Sequence, residues 1–436
     1  MKTIIQFIRL LVPTLLALTS FIASTPAQDV SIPDPGLNAA IRAALQKPTG
    51  PLTEPDLLSL TNLNAEGRSI TSVDGLEAAR HLIGLSLDSN SLTNFALADA
   101  LTNLERLTLF NNHLTNFVLT SGTPNLTVLD LGFNSLAQCS LPDGLTNLDI
   151  LFLEGNQLTN ITLPAGLTGL TKLDLSGNKL TSFTFPPDLT NVVTVLIFAN
   201  QLTNLTLPAN LSRVGGLVLD FNRLRSLTLP AGMSNLNRLT LLGNQLTNLT
   251  LRPDLTELSF LDVGNNQLSQ FTLPAGMSSL NFLRLSGNKL TSLTLPSGMT
   301  NLSTLDLGAN QLTSLTLPPD LQQLTGLITD GNPLATLILS DSLADAKLAT
   351  TVASLRTRGV SVFTYPLAVD LVSPCRTVAG TFEFTLTGPP GVYTVFGSSD
   401  LAAWSELRAT TNTLGRIIFT DATADLSGGK FYRAGQ

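Results

Sequence analysis

Two pairs of aspartates are the first candidates for chemistry in this sequence. Asp130 and Asp174 are separated by two 22-residue steps, and so are Asp262 and Asp306. If each step adds one strand to a parallel sheet, the carboxylates of a pair stand roughly 10 Å apart. Paired carboxyl groups of this kind can hydrolyse glycosides. The sequence shows no cleft and no setting that would raise a pKa, so we favour a solvated strand face over a catalytic pair.

The other residues that could carry chemistry are few and isolated. The histidines His81 and His113 belong to no recognisable triad or metal motif. The cysteines Cys139 and Cys375 lie far apart in different regions, and neither belongs to a Cys-x-x-Cys motif. Cys139 stands at an apolar position, which predicts a buried free thiol. We therefore predict that the protein is not an enzyme and uses no cofactor and no metal.

Composition limits the partners. The chain has 436 residues, of which 43% are apolar and only 13% are charged, with a formal net charge of −7. An acidic chain offers no basic surface for nucleic acid and is repelled by anionic membranes. We expect a protein or a cell-surface polymer as partner, no nucleic acid, no membrane span after cleavage of an amino-terminal signal, and a monomer.

One asparagine returns every 22 residues inside an apolar frame. The frame reads L-x-x-L-x-L-x-x-N-x-L, as in residues 126–136 and 280–290. Twelve asparagines, called the ladder asparagines below, occupy this position without a slip: Asn90, Asn112, Asn134, Asn156, Asn178, Asn200, Asn222, Asn244, Asn266, Asn288, Asn310 and Asn332. The amide of Asn both donates and accepts hydrogen bonds, so it can satisfy backbone groups at a tight inward bend.

This pattern resembles the leucine-rich repeat family. The resemblance implies a solenoid of stacked 22-residue coils with a parallel β ladder, in which neighbouring coils bury each other's apolar edges. The second half of each repeat reads L-T-x-L-T-L-P, which alternates with period two and is rich in threonine. Such a segment predicts extended chain on the convex side. The expected fold is therefore mostly β with few convex helices.

The segments before the repeats predict export and a cap. Residues 1–27 resemble a signal peptide, with early positive charges, an apolar stretch over residues 10–23 and small residues before a cleavage site near Ala27. The alternative is an uncleaved membrane anchor. Residues 28–67 predict a helical amino-terminal cap, with a capping box at Thr53 and Asp56. This cap followed by repeats resembles bacterial secreted leucine-rich repeat proteins.

After the solenoid, assigned to residues 68–340, two further units are expected. Residues 341–365 predict a carboxy-terminal cap made of one helix from Ser342 to Arg358 and one strand. Residues 366–436 contain short alternating strands separated by Gly, Pro and Ser turns, which predicts a small β-sandwich. The segments 393–404 and 430–433 resemble carboxy-terminal β-domains appended to secreted bacterial proteins.

The repeat leaves three outward columns free to vary, at six, four and two residues before each ladder asparagine. In the resembling family this concave face usually carries binding. We expect a contiguous apolar patch with an acidic rim there, formed by Phe110, Ile150, Phe152, Leu196, Phe198, Val218 and Leu242 with Asp130, Glu154, Asp174 and Asp220. The alternative is that drifting repeats acquire aromatic and β-branched residues because these suit strands.

The expected function is a non-catalytic scaffold, secreted or on the cell surface, that binds protein through the concave face. A second hypothesis is a structural or adhesive exoprotein. In that case the solenoid is a spacer and the β-domain carries the attachment, for example to carbohydrate around Tyr393 and Trp404. The competing interpretation of both aromatic residues is core packing, because large aromatic side chains are mostly buried.

Overall fold

A parallel sheet runs the length of the solenoid and forms its concave face. The computed structural model describes residues 28–96, 100–120, 122–378, 380–424 and 429–435. Within them this sheet has thirteen strands, and each except the last is paired in register with the strand 22 residues later, as Leu129 is with Leu151. The strands are Asn62–Asn64, Gly84–Ser86, Arg106–Thr108, Val128–Asp130, Ile150–Phe152, Lys172–Asp174, Thr194–Leu196, Gly216–Val218, Arg238–Thr240, Phe260–Asp262, Phe282–Arg284, Thr304–Asp306 and Gly326–Ile328. The parallel ladder predicted from the repeat is confirmed.

The ladder asparagines join each coil to the one before it. The side-chain nitrogen of Asn156 donates to the Leu131 carbonyl oxygen of the preceding coil at 3.0 Å, and its oxygen accepts from the Leu136 amide at 3.0 Å. The same two contacts, to residues 25 and 20 positions earlier, recur at all twelve asparagines. The amides therefore satisfy buried backbone groups that the coils cannot pair for themselves.

A left-handed residue precedes every ladder asparagine. Residues 89, 111, 133, 155 and their successors to 331 all have φ between 51° and 75°. This conformation turns the chain from the concave strand into the asparagine bend. Glycine adopts it without steric cost, whereas a side chain with a Cβ is strained there.

The convex side is extended, as the threonine-rich alternation predicts. Its strands form two pairs and one group of three, namely Asn116–Val118 with Gln138–Ser140, Ser226–Thr228 with Asn248–Thr250, and Ser314–Thr316 with Thr336–Ser340 and Ser361–Tyr365. No helix interrupts residues 122–332, all of which the structure describes. The solenoid is thus β-rich on both faces.

The amino-terminal cap contains the helices Pro35–Leu45 and Glu54–Leu58, followed by a 3₁₀ turn at Leu76–Ala78. The Asp34 carboxylate accepts the Leu37 amide at 2.9 Å and so caps the first helix. Asp56 accepts both the backbone amide and the hydroxyl of Thr53, which completes the predicted capping box. The signal peptide interpretation concerns residues 1–27, which lie outside the described residues.

The carboxy-terminal cap differs in detail from the single predicted helix. Leu343–Lys347 is a π-helical turn, and Ala349–Thr357 is an α-helix. The Leu348 amide donates to the Leu343 carbonyl at 3.0 Å, a bond that spans five residues. Both leucines joined by this i→i+5 bond are buried. Periodicity of 3.6 residues cannot reveal such a turn.

The last unit is a sandwich of two three-stranded antiparallel sheets. One contains Asp370–Arg376, Phe382–Thr387 and Arg416–Asp421, and the other contains Ser405–Asn412, Gly391–Ser398 and Phe431–Gly435. Side chains of both sheets form one small core: Phe384, Leu386, Tyr393, Val395 and Phe419. The predicted β-domain is confirmed as two small antiparallel sheets.

Candidate binding face of the solenoid

The residues of the predicted patch lie on the concave face. In each strand the central Leu or Val points into the core, and the residues on either side of it face outward. Six of the seven apolar residues are half-buried by their neighbours, and Phe198 is 38% exposed. The face therefore offers part of each side chain to solvent.

Strand register divides these residues into two groups. Phe152 lies between Asp130 and Asp174 on the neighbouring strands. Leu196 lies between Asp174 and Val218. A coil that carries Lys172, Asp174 and Ser176 therefore separates Ile150 and Phe152 from the second group, which contains Leu196, Phe198, Val218 and Leu242. The prediction of a contiguous patch overlooked this polar coil, and Phe110 lies apart at the amino-terminal side.

Two further phenylalanines, missed by the sequence analysis, stand on the turn beside this face. Phe133 and Phe221 are 54% and 56% exposed and have φ of 53° and 54°. Each ring lies over a glycine of the next coil. A Cβ added to Gly155 would stand 3.0 Å from the Phe133 ring, and one added to Gly243 would stand 2.8 Å from the Phe221 ring.

These aromatic residues repeat with a period of four coils. Phe110 packs edge-on against Phe133, with ring centroids 5.3 Å apart. Phe198 and Phe221 occupy the same two positions four coils later. We call Phe110, Phe133, Phe198 and Phe221 the rim aromatics. The repeated spacing is visible in the sequence and was the signal that could have revealed them.

The aspartates of the concave face hold backbone in place. The carboxylates of Asp130 and Asp174 accept the amides of Gly132 and Ser176 at 3.0 and 2.9 Å. Asp262 and Asp306 accept the amides of Gly264 and Gly308 at 2.9 and 3.0 Å. This recurring contact gives the four aspartates a structural role. It explains why Asp recurs four residues before the ladder asparagine.

The charge of the face is uneven along the solenoid. In the carboxy-terminal half, Arg284 lies between Asp262 and Asp306, at 3.6 and 3.2 Å. Arg238 also stacks there on Phe260, which stacks in turn on Phe282. In the amino-terminal half, defined here as the first eight of the thirteen strands with their turns, Asp130, Glu154, Asp174 and Asp220 form no ion pair within 4 Å with any residue that the structure describes. That half is an acidic surface.

Burial raises the pKa of several acids on the concave face. Burial is the largest cause that raises the pKa of Asp130, Asp220 and Asp262 above the ordinary value. The pKa of Glu154 is raised to about 7 by burial, with the nearby charges of Asp174 and Asp130 adding to the effect. One oxygen of Glu154 is buried and has no hydrogen-bond partner among the described atoms.

The remaining candidate groups are the metal-ligating side chains, the two cysteines and Tyr393. Within the described ranges, no group of three or more His, Cys, Asp and Glu side chains could hold a metal ion. Cys139 and Cys375 are both free, and burial raises the pKa of the Cys139 thiol to about 12. Tyr393 is fully buried and its hydroxyl donates to the Pro389 carbonyl at 2.6 Å, so it packs in the core.

Comparison with known families supports the same interpretation of the repeats. Residues 146–191 and 278–322 match the family described as Leucine Rich repeats (2 copies), and residues 125–148 match Leucine Rich Repeat. These matched segments of the solenoid are leucine-rich repeats. No curated protein matches the chain in sequence.

Solved leucine-rich repeat structures share the fold. An internalin (InlF) from Listeria monocytogenes aligns with a TM-score of 0.57 at 24% identity, over 78% of this chain and 98% of that one. The functional domain of InlJ from the same species aligns with a TM-score of 0.57 at 19% identity, over 83% and 96%. The leucine-rich effector YopM from Yersinia pestis aligns with a TM-score of 0.53 at 24% identity, over 69% and 83%. At these identities the likeness concerns the fold.

The raised pKa of Glu154 predicts a pH-dependent stability of the leucine-rich repeat solenoid. Folding favours the protonated form of Glu154. Its stabilising contribution to the free energy of unfolding is therefore fully present below pH 4.5 and is lost as pH rises to about 7. Glu154→Gln should remove this loss and stabilise the protein at pH 8 by on the order of 1 kcal/mol after allowance for solvent screening. Urea unfolding at pH 4.5 and pH 8 measures it.

The exposed residue Glu257 provides the control, because Glu257→Gln removes one charge without burial. An equal change of the pH dependence in both variants would contradict the assignment to Glu154.

Proposed function

We propose that the protein is an exported, non-catalytic scaffold that binds another protein through the amino-terminal half of its concave face and the adjacent rim aromatics. Leucine-rich repeat solenoids present extended concave surfaces for binding. The observation that carries the proposal is the placement of Phe133 and Phe221, which are exposed and stand in a left-handed backbone conformation.

Scaffold requirements do not explain these two phenylalanines. Glycine occupies the same turn position at Gly155, Gly177 and Gly243, and it relieves the strain there. A bulky residue in this conformation costs on the order of 1 kcal/mol or more. Each ring is more than half exposed, so burial offsets little of that cost. Exposed aromatic residues are the usual anchors of protein interfaces, which supports a role in binding.

Charge supports a partner that is basic near its apolar contacts. Asp130, Glu154, Asp174 and Asp220 lie in the same half of the solenoid as the rim aromatics and have no ion-pair partner within the described part of the chain. Lys172 lies 4.7 Å from the centroid of the Phe152 ring and offsets part of this charge. A partner surface with lysine or arginine around apolar side chains is complementary to this arrangement, and such complementarity raises association rate and specificity.

Replacement of the two phenylalanines by glycine separates binding from folding. The double variant Phe133→Gly and Phe221→Gly installs the residue that other coils already use, so its urea midpoint should equal or exceed that of the unmodified protein. A partner captured from the extracellular fraction and purified should bind it at least about tenfold more weakly, since two anchors are lost. Surface plasmon resonance measures the dissociation constants.

Ala199→Gly is the matched control, because Ala199 occupies the same left-handed turn position without an aromatic ring. Its affinity should stay unchanged. An undiminished affinity of the folded double variant would remove the rim aromatics from the binding surface.

Export rests on the amino-terminal segment, which lies outside the described residues. Its sequence has Lys2 and Arg9 before an apolar stretch, which is followed by small residues. No helix in the ranges that the structure describes is long and apolar enough to span a bilayer.

Amino-terminal sequencing tests export. The protein should be recovered from the culture medium or the cell surface and begin near Gln28, after cleavage at Ala27. Recovery in the cytosol with residues 1–27 intact would contradict the proposal, and recovery in the membrane with an intact terminus would support the uncleaved anchor.

A further inference from the structure

The only tryptophan of the chain lies outside the core of its domain. The sandwich core is formed by Phe384, Leu386, Tyr393, Val395 and Phe419 together with smaller contributions around them, and Trp404 is not among these residues. Trp404 is half-buried and borders an open cleft of about 550 Å³. Cavities of this size hold small organic ligands. The domain therefore keeps its largest apolar side chain at the surface of a cavity.

The loop that carries Trp404 is held rigid by its own hydrogen bonds. The Asp400 carboxylate accepts the amides of Ala402 and Ala403, both at 2.9 Å. The Ser398 hydroxyl, which is buried, accepts the Leu401 amide at 2.9 Å. The indole nitrogen of Trp404 donates to the Leu401 carbonyl at 3.2 Å. A ring fixed in this way loses little conformational entropy when a ligand binds.

Arg433 supports the indole ring from one side. Its guanidinium carbon lies 4.5 Å from the Trp404 ring centroid and 5.1 Å from that of Phe396. Trp404 lines the cleft and Arg433 does not, so a ligand in the cleft contacts the indole rather than the guanidinium.

The part of the cleft formed by Thr423 and Lys430 is polar, and the positive charge of Lys430 is compensated by a carboxylate. The Lys430 ammonium donates to the Asp421 carboxylate at 2.7 Å and to the Thr423 hydroxyl at 3.2 Å. The Tyr432 hydroxyl also donates to Asp421, at 2.9 Å. The Thr423 hydroxyl donates to Asp421 at 2.6 Å, and the Ser405 hydroxyl donates to the Gly397 carbonyl at 3.3 Å and can still accept. The cleft thus combines one aromatic ring with the hydroxyls of Ser399 and Ser405 and with a lysine that is already paired.

We propose that this cleft binds a neutral sugar residue of a polysaccharide. A pyranose ring has an apolar C–H face that packs on an aromatic ring and an equatorial belt of hydroxyls that needs hydrogen-bond partners. The cleft supplies both, and the paired lysine gives no net attraction for an anion. This site is separate from the concave face and would attach the carboxy-terminal domain to a cell-surface or extracellular polymer.

The fluorescence emission of Trp404 reports ligand binding in the cleft, because no other tryptophan contributes to the emission. The full chain is titrated with soluble hexasaccharides of glucose, of mannose and of N-acetylglucosamine, and with a polygalacturonate oligomer as the anionic probe. The proposal predicts a saturable change of Trp404 emission with at least one neutral probe and none with the anionic one. Depletion by insoluble cellulose, mannan or chitin provides a second readout that also applies to Trp404→Ala, which should lose binding at least tenfold.

Two neighbouring alanines give a matched pair of variants. Ala402 and Ala403 are both exposed and both donate to Asp400 through the backbone, but only Ala403 lines the cleft. Ala403→Lys should abolish the emission change, and Ala402→Lys should retain it. No saturable response to any neutral probe would overturn the proposal. So would binding that survives Ala403→Lys and Trp404→Ala, or a response to the anionic probe alone.

Discussion

The hydrogen bonds of the buried asparagine amides are the interaction on which the rest of the structure depends. Each ladder asparagine donates to a carbonyl 25 residues earlier and accepts from an amide 20 residues earlier, so both contacts reach the preceding coil. A single coil has no partner for these backbone groups and no second apolar edge to cover its leucines. Stacking supplies both at once, which explains why the inward positions hardly vary from coil to coil.

The same constraint decides where the chain can vary. The ladder asparagines bond only backbone atoms, so the side chains that face outward from the concave strands, and those of the turn before each asparagine, are left free to vary. On them the protein places the rim aromatics and the acidic residues of the amino-terminal half. The carboxy-terminal half places Arg284 between two aspartates and so offsets part of their charge. The uneven charge therefore distinguishes two surfaces on one regular scaffold.

Much of the fold could be predicted from the sequence, because the 22-residue period states which residues face inward. The period predicts the parallel ladder, and the threonine-rich alternation predicts an extended convex side. The strain at Phe133 and Phe221 could not be predicted, because hydrophobicity carries no information about φ. The aspartate column looked like paired acids, yet Asp130 and Asp174 accept backbone amides, a role that only geometry reveals. Tyr393 and Trp404 are close in sequence but differ in position. Tyr393 lies on a strand and packs in the core, whereas Trp404 lies in a loop and borders the cleft.

Two asparagines of one coil test the central claim most directly. Asn244 is a buried ladder residue that contacts the Leu219 carbonyl and the Leu224 amide, each at 3.0 Å, whereas Asn235 is exposed and donates to the Ser212 carbonyl at 2.8 Å. Urea unfolding should show that Asn244→Ala lowers the free energy of unfolding by about 2–4 kcal/mol, because buried groups lose their partners. Asn235→Ala should cost less than about 1 kcal/mol, because water replaces its contact. Equal losses in the two variants would contradict the account.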